Sequence, residues 1–216
     1  VQGITCCEID SNPHDQTHTI WIADFLWKDS DGLRDMDNDV LLLLCMAKFA
    51  EEIDPIFSTP QVKETSLADG DAFVHCVLAP HIWACDYIQS HFPRGLMLRR
   101  EAYLADLTGI ATSSDPVSHL AKRANLTVLA QTEAVLDRHN LPKHPYIDAL
   151  KDSLTPDNRT FFEELVKCLS AIPELPSEVE KACRLLQEQA NRIAPIFGHT
   201  TEAKIVPGDK TYVWTL

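Results

Sequence analysis

From Leu33 onward the apolar residues Leu33, Met36, Val40, Leu43, Leu44 and Ala47 return at intervals of three and four, the spacing that lines one face of a helix. The same period recurs down most of the chain. It is the strongest constraint on the fold, because a stripe of this kind has to be covered by another helix or a sheet. The first such helix runs to about Glu52, where Asp54-Pro55 ends it. Ser66 with Asp69 three residues on resembles a capping box and opens a helix through Ala79. Pro80 interrupts that run, and Ile82, Trp83, Cys85, Tyr87 and Ile88 carry it to Phe92, as one proline-kinked helix or as two meeting at the proline. A shorter helix is expected over Leu96 to Leu107, and Ser114-Asp115-Pro116 starts another that reaches about His139. Tyr146 to Leu154 adds one or two turns. Thr155-Pro156 heads the column Phe161, Phe162, Leu165, Val166, Leu169 and Ile172, and a capping box at Ser177-Glu178-Val179-Glu180 heads Val179, Cys183, Leu186, Ala190 and Ile193.

The opening stretch reads the same way. Ser11 or Asn12 caps a helix with Pro13 at its first position, ending near Lys28. The expected architecture is therefore all-α, a helical bundle of about seven helices in a single domain over residues 1–216. Residues 1–10 form an extended arm. Residues 203–216 form a small C-terminal hairpin, with Pro207-Gly208-Asp209 at its turn.

Charge narrows the partners. A formal net charge of −13 repels phosphate backbones and anionic lipid, which leaves a neutral or cationic ligand and argues against nucleic acid or a membrane surface. Binding to duplex DNA or anionic vesicles at physiological salt is expected to be undetectable; micromolar, salt-sensitive binding would reveal a basic patch and overturn this reading. The seven glycines include no phosphate-loop pattern. Seven cysteines without a Cys-x-x-Cys pair, mostly inside apolar helical runs, point to reduced thiols in a cytoplasmic chain. No apolar stretch reaches membrane-spanning length.

Nine histidines are the main source of candidate chemistry. On a helix, His14 and His18 share one face, and the column continues into Trp21 and Phe25, so both imidazoles would look inward. A pair at this spacing is a metal-ligand geometry. His75 lies among Ala72, Val74 and Ala79, with Asp71 one turn before it. A carboxylate there can accept the second ring N–H of a ligand histidine and fix its tautomer, which makes Asp71 the candidate catalytic carboxylate. His14, His18 and His75 together would supply three ligands to a zinc-type ion, leaving a position for water. His81 and Cys85 form a further pair four residues apart. His91, His119, His139, His144 and His199 fall near helix ends or in loops and read as surface residues. For every inward histidine the plainer alternative is a hydrogen-bonded core residue.

Asp24, Asp29, Asp31, Asp35, Asp37 and Asp39 echo calcium loops without completing one, since Val40 stands where a glycine is needed. Asp29-Ser30-Asp31-Gly32 after Phe25-Leu26-Trp27 resembles the first motif of haloacid-dehalogenase-type phosphatases. That family needs a parallel α/β sheet, and the helical period provides none, so the segment reads as a solvated acidic turn.

A second resemblance joins His14-x-x-x-His18 to Asp54-Pro55-Ile56-Phe57. Together they look like fragments of the second metal half-site of tyrosinases and hemocyanins, in which the Asp-Pro-Ile-Phe run leads into a His-His pair. Here Ser58-Thr59 follows instead. The pattern is compatible with the hemocyanin-like zinc proteins of fungal alkaloid pathways, the cyclopenase type. The resemblance implies a secondary-metabolite ring contraction with loss of small fragments.

The expected function is a lyase or hydrolase with a buried histidine-bound zinc-type metal, acting on a small, largely apolar molecule. The alternative from a different class is a non-catalytic acidic helical interaction module that binds a basic partner. A third is a metal-free enzyme with a buried histidine as general base.

Overall fold

The computed structural model describes residues 7–12, 14–15, 17–22, 30–59, 74–91, 119–143, 145–200 and 202–215. Thr17, Thr19, Ile20 and Ile22 are β-branched, and a branched Cβ favours the pleated backbone over the helix. These residues form β2 (Thr17–Ile22), paired antiparallel with β1 (Cys7–Asn12) in a register that sets Ser11 opposite His18 and Asn12 opposite Thr17. The helix expected from Ser11 to Lys28 is thus replaced, over its described residues up to Ile22, by a hairpin, whose first strand takes in residues 7–10 of the expected extended arm. Asn12, one of the two residues that suggested a helix cap, helps to make the hairpin's turn, its Oδ1 accepting from His14 N at 2.9 Å, and Asp15 Oδ1 accepts from Thr17 N at 3.1 Å. Burial along β2 alternates, so His18, Ile20 and Ile22 face inward. Trp21, placed inward by the helical reading, is 64% exposed.

Five of the expected helical stretches appear with their bounds shifted by a few residues, as α1 (Ser30–Glu52), α3 (His119–Arg138), α4 (Pro145–Ser153), α5 (Pro156–Ser170) and α6 (Val179–Ile193). Between α1 and α3, α2 (Val74–His91) runs unbroken through Pro80. The described residues therefore hold six helices and two antiparallel hairpins, a mostly helical chain. The short helix expected over Leu96 to Leu107 and the capping box at Ser66 lie outside the described residues. Ser30-Asp31-Gly32 belongs to the first turn of α1 rather than to a free loop. The box expected at Ser177 does not form either. Glu178 is the N-cap of α6, makes no side-chain cap bond, and pairs with Lys181 at 2.7 Å.

The chain separates into two compact units, a division that the reading of one domain does not draw. The first comprises Val1–Gly3 and Met97–Ile172; the second comprises Ile4–Leu96 and Pro173–Leu216. In the first, α3 packs on α5 through Leu126, Leu129 and Ala130 on one side and Phe161, Phe162, Leu165 and Leu169 on the other, all buried. Thr155 caps α5 by accepting from Asn158 N at 3.4 Å, with Pro156 behind it. Arg138 Nη1 donates to the carbonyl of Ser170 at 3.1 Å and to that of Ile172, satisfying acceptors at the end of α5.

In the second unit α2 packs against α1 and α6. Ile82, Trp83, Ala84 and Ile88 of α2 are buried, as are Cys183, Leu186, Ala190 and Ile193 of α6. Trp83 donates through Nε1 to the carbonyl of Pro173 at 2.7 Å, and its ring lies 5.9 Å from that of Phe57. The C-terminal hairpin forms where expected, from β3 (Lys204–Pro207) and β4 (Tyr212–Thr215). Among the described residues no helix is long and apolar enough to cross a membrane.

Candidate functional site

Three groups of polar side chains in the second unit compete for attention, and burial separates them. The first grows from the N-terminal hairpin. Ser58 donates to Ser11 Oγ, and Ser11 Oγ lies 2.8 Å from His18 Nδ1. His18 Nε2 stands 3.5 Å from Glu51 Oε1, an ion-pair distance but too long for a hydrogen bond. Hydroxyl, imidazole and carboxylate in this order are the parts of an acyl-transfer triad. Their exposure is the reverse of what acyl transfer needs, because Ser11 is 1% exposed whereas the Glu51 side chain is 63% exposed. A nucleophile sealed beneath its own base meets no substrate. The cluster is a fastener, and Thr59 completes it by accepting from Ser11 N and donating to the carbonyl of Ile9, both at 3.2 Å.

The second group surrounds Asp54, the buried N-cap of the short 3₁₀ turn Pro55–Phe57. Its Oδ1 accepts from Ile56 N at 3.0 Å and from the Thr211 hydroxyl, and its Oδ2 from Tyr212 N at 3.2 Å. Every contact is a donor from this chain. The run Asp54-Pro55-Ile56-Phe57 therefore serves as a capped turn that holds the C-terminal hairpin, and the hydroxyls of Ser58 and Thr59 after it hold the N-terminal one.

The third group is different in kind. His75, in the first turn of α2, is 3% exposed, and neither ring nitrogen has a hydrogen-bond partner among the described residues. A buried imidazole without partners is costly unless something else occupies it. Its neighbour is His199, 5.2 Å away between ring centroids with the planes tilted by 40°. Local backbone geometry brings His199 there. Pro195 starts the 3₁₀ turn Ala194–Phe197 after α6, and Gly198 ends it at a φ of +84°, a conformation that suits glycine. Gly198 N donates to the carbonyl of Pro195 at 3.0 Å and His199 N to that of Ala194 at 3.1 Å, so the chain doubles back. His199 also lines a cavity of about 380 Å³, with Asn191, Ala194, Pro195, Thr200 and Glu202. Asn191 fixes one wall, its Nδ2 donating to the carbonyl of Ala203 and its Oδ1 accepting from Ala203 N, both at 2.8 Å. Burial, and then the nearby His199, lower the His75 pKa to about 4. Its ring is neutral at pH 7.

The three histidines expected to share one ion are found in different settings. His14 is exposed in the hairpin turn, His18 is bound to Ser11, and His75 faces His199. Among the described residues no three His, Cys, Asp or Glu side chains gather as metal ligands. Asp71, the expected catalytic carboxylate, lies outside the described residues. His199, which sequence reasoning assigned to the surface, is the residue it missed; the Gly198 helix stop beside it was the one signal in the chain. Buried thiols offer no nucleophile, since burial pushes Cys45 up to about 11 and Cys76 and Cys183 up to about 12. No protein-family description, curated protein or solved structure matches the chain.

Proposed function

We propose that His75 and His199 form a two-histidine site for a zinc-type ion, and that the protein acts there as a lyase or hydrolase on a small, largely apolar molecule. The observation that carries this reading is His75 itself, buried with both nitrogens open beside a second imidazole. Two imidazoles on one tetrahedral ion stand about 5 Å apart between centroids, and these two stand 5.2 Å apart. A general-base role for His75 fits less well, because a base of pKa about 4 has little affinity for a proton at pH 7. A neutral imidazole is what a metal requires. Bound there, a zinc-type ion would polarise a carbonyl or acidify a water. Ala194 and Pro195 offer the apolar body of a substrate a wall, while Asn191, Thr200 and Glu202 offer it hydrogen bonds. A cyclopenase-type ring rearrangement is one lyase reaction within this proposal. A cytoplasmic setting is part of it, supported by the buried thiols of Cys45, Cys76 and Cys183.

Titration of the purified chain with Zn²⁺, and with Co²⁺ as a spectroscopic reporter, tests the site. One ion per chain is expected, with His75→Ala and His199→Ala each weakening it by about 100-fold or more while His14→Ala leaves it unchanged. Equal affinity in all three variants would sink the proposal. A chain that takes up no ion would move the function to the second reading, an acidic interaction module with a basic partner. That reading is favoured by Trp21, which stands out from β2 on the solvent side.

A further inference from the structure

The N-terminal hairpin presents a strand edge that its own sequence leaves unguarded. Thr59 accepts from Ser11 N and donates to the carbonyl of Ile9, so these residues of β1 turn their backbone groups away from β2. In an antiparallel pair the alternation then fixes the rest. Asp10 and Thr19 exchange the ladder bonds, while His18 and Ile20 aim their N–H and C=O groups at the far side of β2. Among the described residues no strand pairs there. Edges of this kind are ordinarily blunted by lysine, another charge or proline. β2 carries none of these from Thr17 to Ile22.

The two faces of the edge differ. Trp21 is 64% exposed on the solvent face, and Thr19 and Asp10, paired across the ladder, are exposed on the same side. Glu8 holds the register position opposite Trp21. On the inner face Ile20 and Ile22 are only half-buried. An added strand would meet a ring and a carboxylate on one side and aliphatic surface on the other. Charge sets its sequence. Between Val1 and Trp27 stand Glu8, Asp10, Asp15 and Asp24 and no lysine or arginine. On α1, Glu51 brings a further exposed carboxylate to 3.5 Å from His18, and Lys48 is taken up by Glu52.

We infer that β2 accepts an added strand from a basic partner protein, an extended segment with arginine or lysine at alternate positions and aliphatic residues between them. Main-chain bonds to His18 and Ile20 supply affinity. A cation over the Trp21 ring, with Asp10 on the same face, supplies selection. A second copy of this chain is a poor occupant, because it would set one acidic hairpin against another. The inference rests on the acidic-module reading, to which it gives a partner and a place, and it uses neither His75 nor His199.

A capped hexapeptide of alternating arginine and valine is the probe, and its control carries glutamate in place of arginine. In amide NMR spectra of the full chain the probe is expected to shift residues 17–22 saturably, with an affinity of about 100 μM or tighter. Amide exchange at His18 and Ile20 should slow as their groups enter a ladder. Trp21→Ala and Asp10→Asn should each weaken the probe by about threefold, and His75→Ala should leave it unchanged. Both altered side chains are exposed, so the fold should survive their loss. The control should not bind. Equal binding of the two peptides would overturn the inference, and so would the absence of any saturable shift. Probe binding that spares residues 17–22 would keep the acidic module and overturn this surface. Self-association that shifts the same residues would overturn it too, by giving the edge to a second copy.

Discussion

In the metal-free protein, lowering the pH from about 6.5 to about 4 should remove on the order of 3 kcal/mol of stability through His75 alone. The folded ring titrates near 4 because burial, and then His199, disfavour its charged form, whereas in the unfolded chain it titrates near 6.5. Between those values the unfolded state binds the extra proton. Its share of stability is therefore complete above 6.5, falls as the pH drops, and is gone below 4. Urea unfolding followed by tryptophan fluorescence at pH 7 and pH 4.5 measures it. His75→Leu should flatten this part of the acid dependence, and at pH 7 it should cost little, since it also removes two unpartnered nitrogens. If the variant keeps the full acid slope, the destabilising proton goes elsewhere. If the proposed two-histidine site takes up Zn²⁺, the ion should steepen the wild-type dependence, because protons and the ion would then compete for the same nitrogens.

The largest mutational loss is expected at Asp54. Asp54→Ala leaves the buried Ile56 N and the half-buried Tyr212 N without their acceptor, and leaves the Thr211 hydroxyl only the carbonyl of Tyr212 at 3.2 Å. Breaking a network of this kind should cost about 3–5 kcal/mol. Asp54→Asn keeps one oxygen and should cost roughly half as much. Thr211→Val removes one donor together with its need, so the double variant Asp54→Ala/Thr211→Val should be less destabilised than the sum of the two. Strict additivity would show that the two side chains are not coupled. Loss of the Asp54 acceptor should also free β4, and faster amide exchange at residues 212–215 than elsewhere in the unit is its signature.

Helices whose apolar spacing runs for three turns or more were readable from the chain alone, because that period has few competing explanations. Phe161, Phe162, Leu165 and Leu169 are all buried in α5, and Cys183, Leu186, Ala190 and Ile193 in α6. The short segment from Ser11 to Ile22 misled for a physical reason. Ser, Asn, Pro and Asp open helices and make tight turns with the same hydrogen bonds, and four residues separate His14 from His18 in either case. What decides is the β-branched content of Thr17 to Ile22, a weaker signal than the caps. His18 meets Ser11 because the register of the hairpin makes them opposite, so their contact was invisible until the hairpin was known. The burial of His75 could be read from its apolar neighbours. Its partner could not, because His199 comes from the far end of the chain and arrives through a glycine turn rather than along a helix face.

The division of the second unit also has a consequence for how the protein is made. Its halves, Ile4–Leu96 and Pro173–Leu216, are separated by the whole of Met97–Ile172. A ribosome adding 5–20 residues per second takes roughly 4–15 s over that interval. Throughout it, α1 and α2 have no α6 to cover Ile82, Trp83 and Ile88, and Asp54 waits for a threonine 157 positions downstream. The intervening stretch Met97–Ile172 supplies the first unit with all but Val1–Gly3. Until Pro173–Leu216 has emerged, the first helices of the newborn chain lack the cover that α6 gives them, and it is then that a chaperone would find the most to hold.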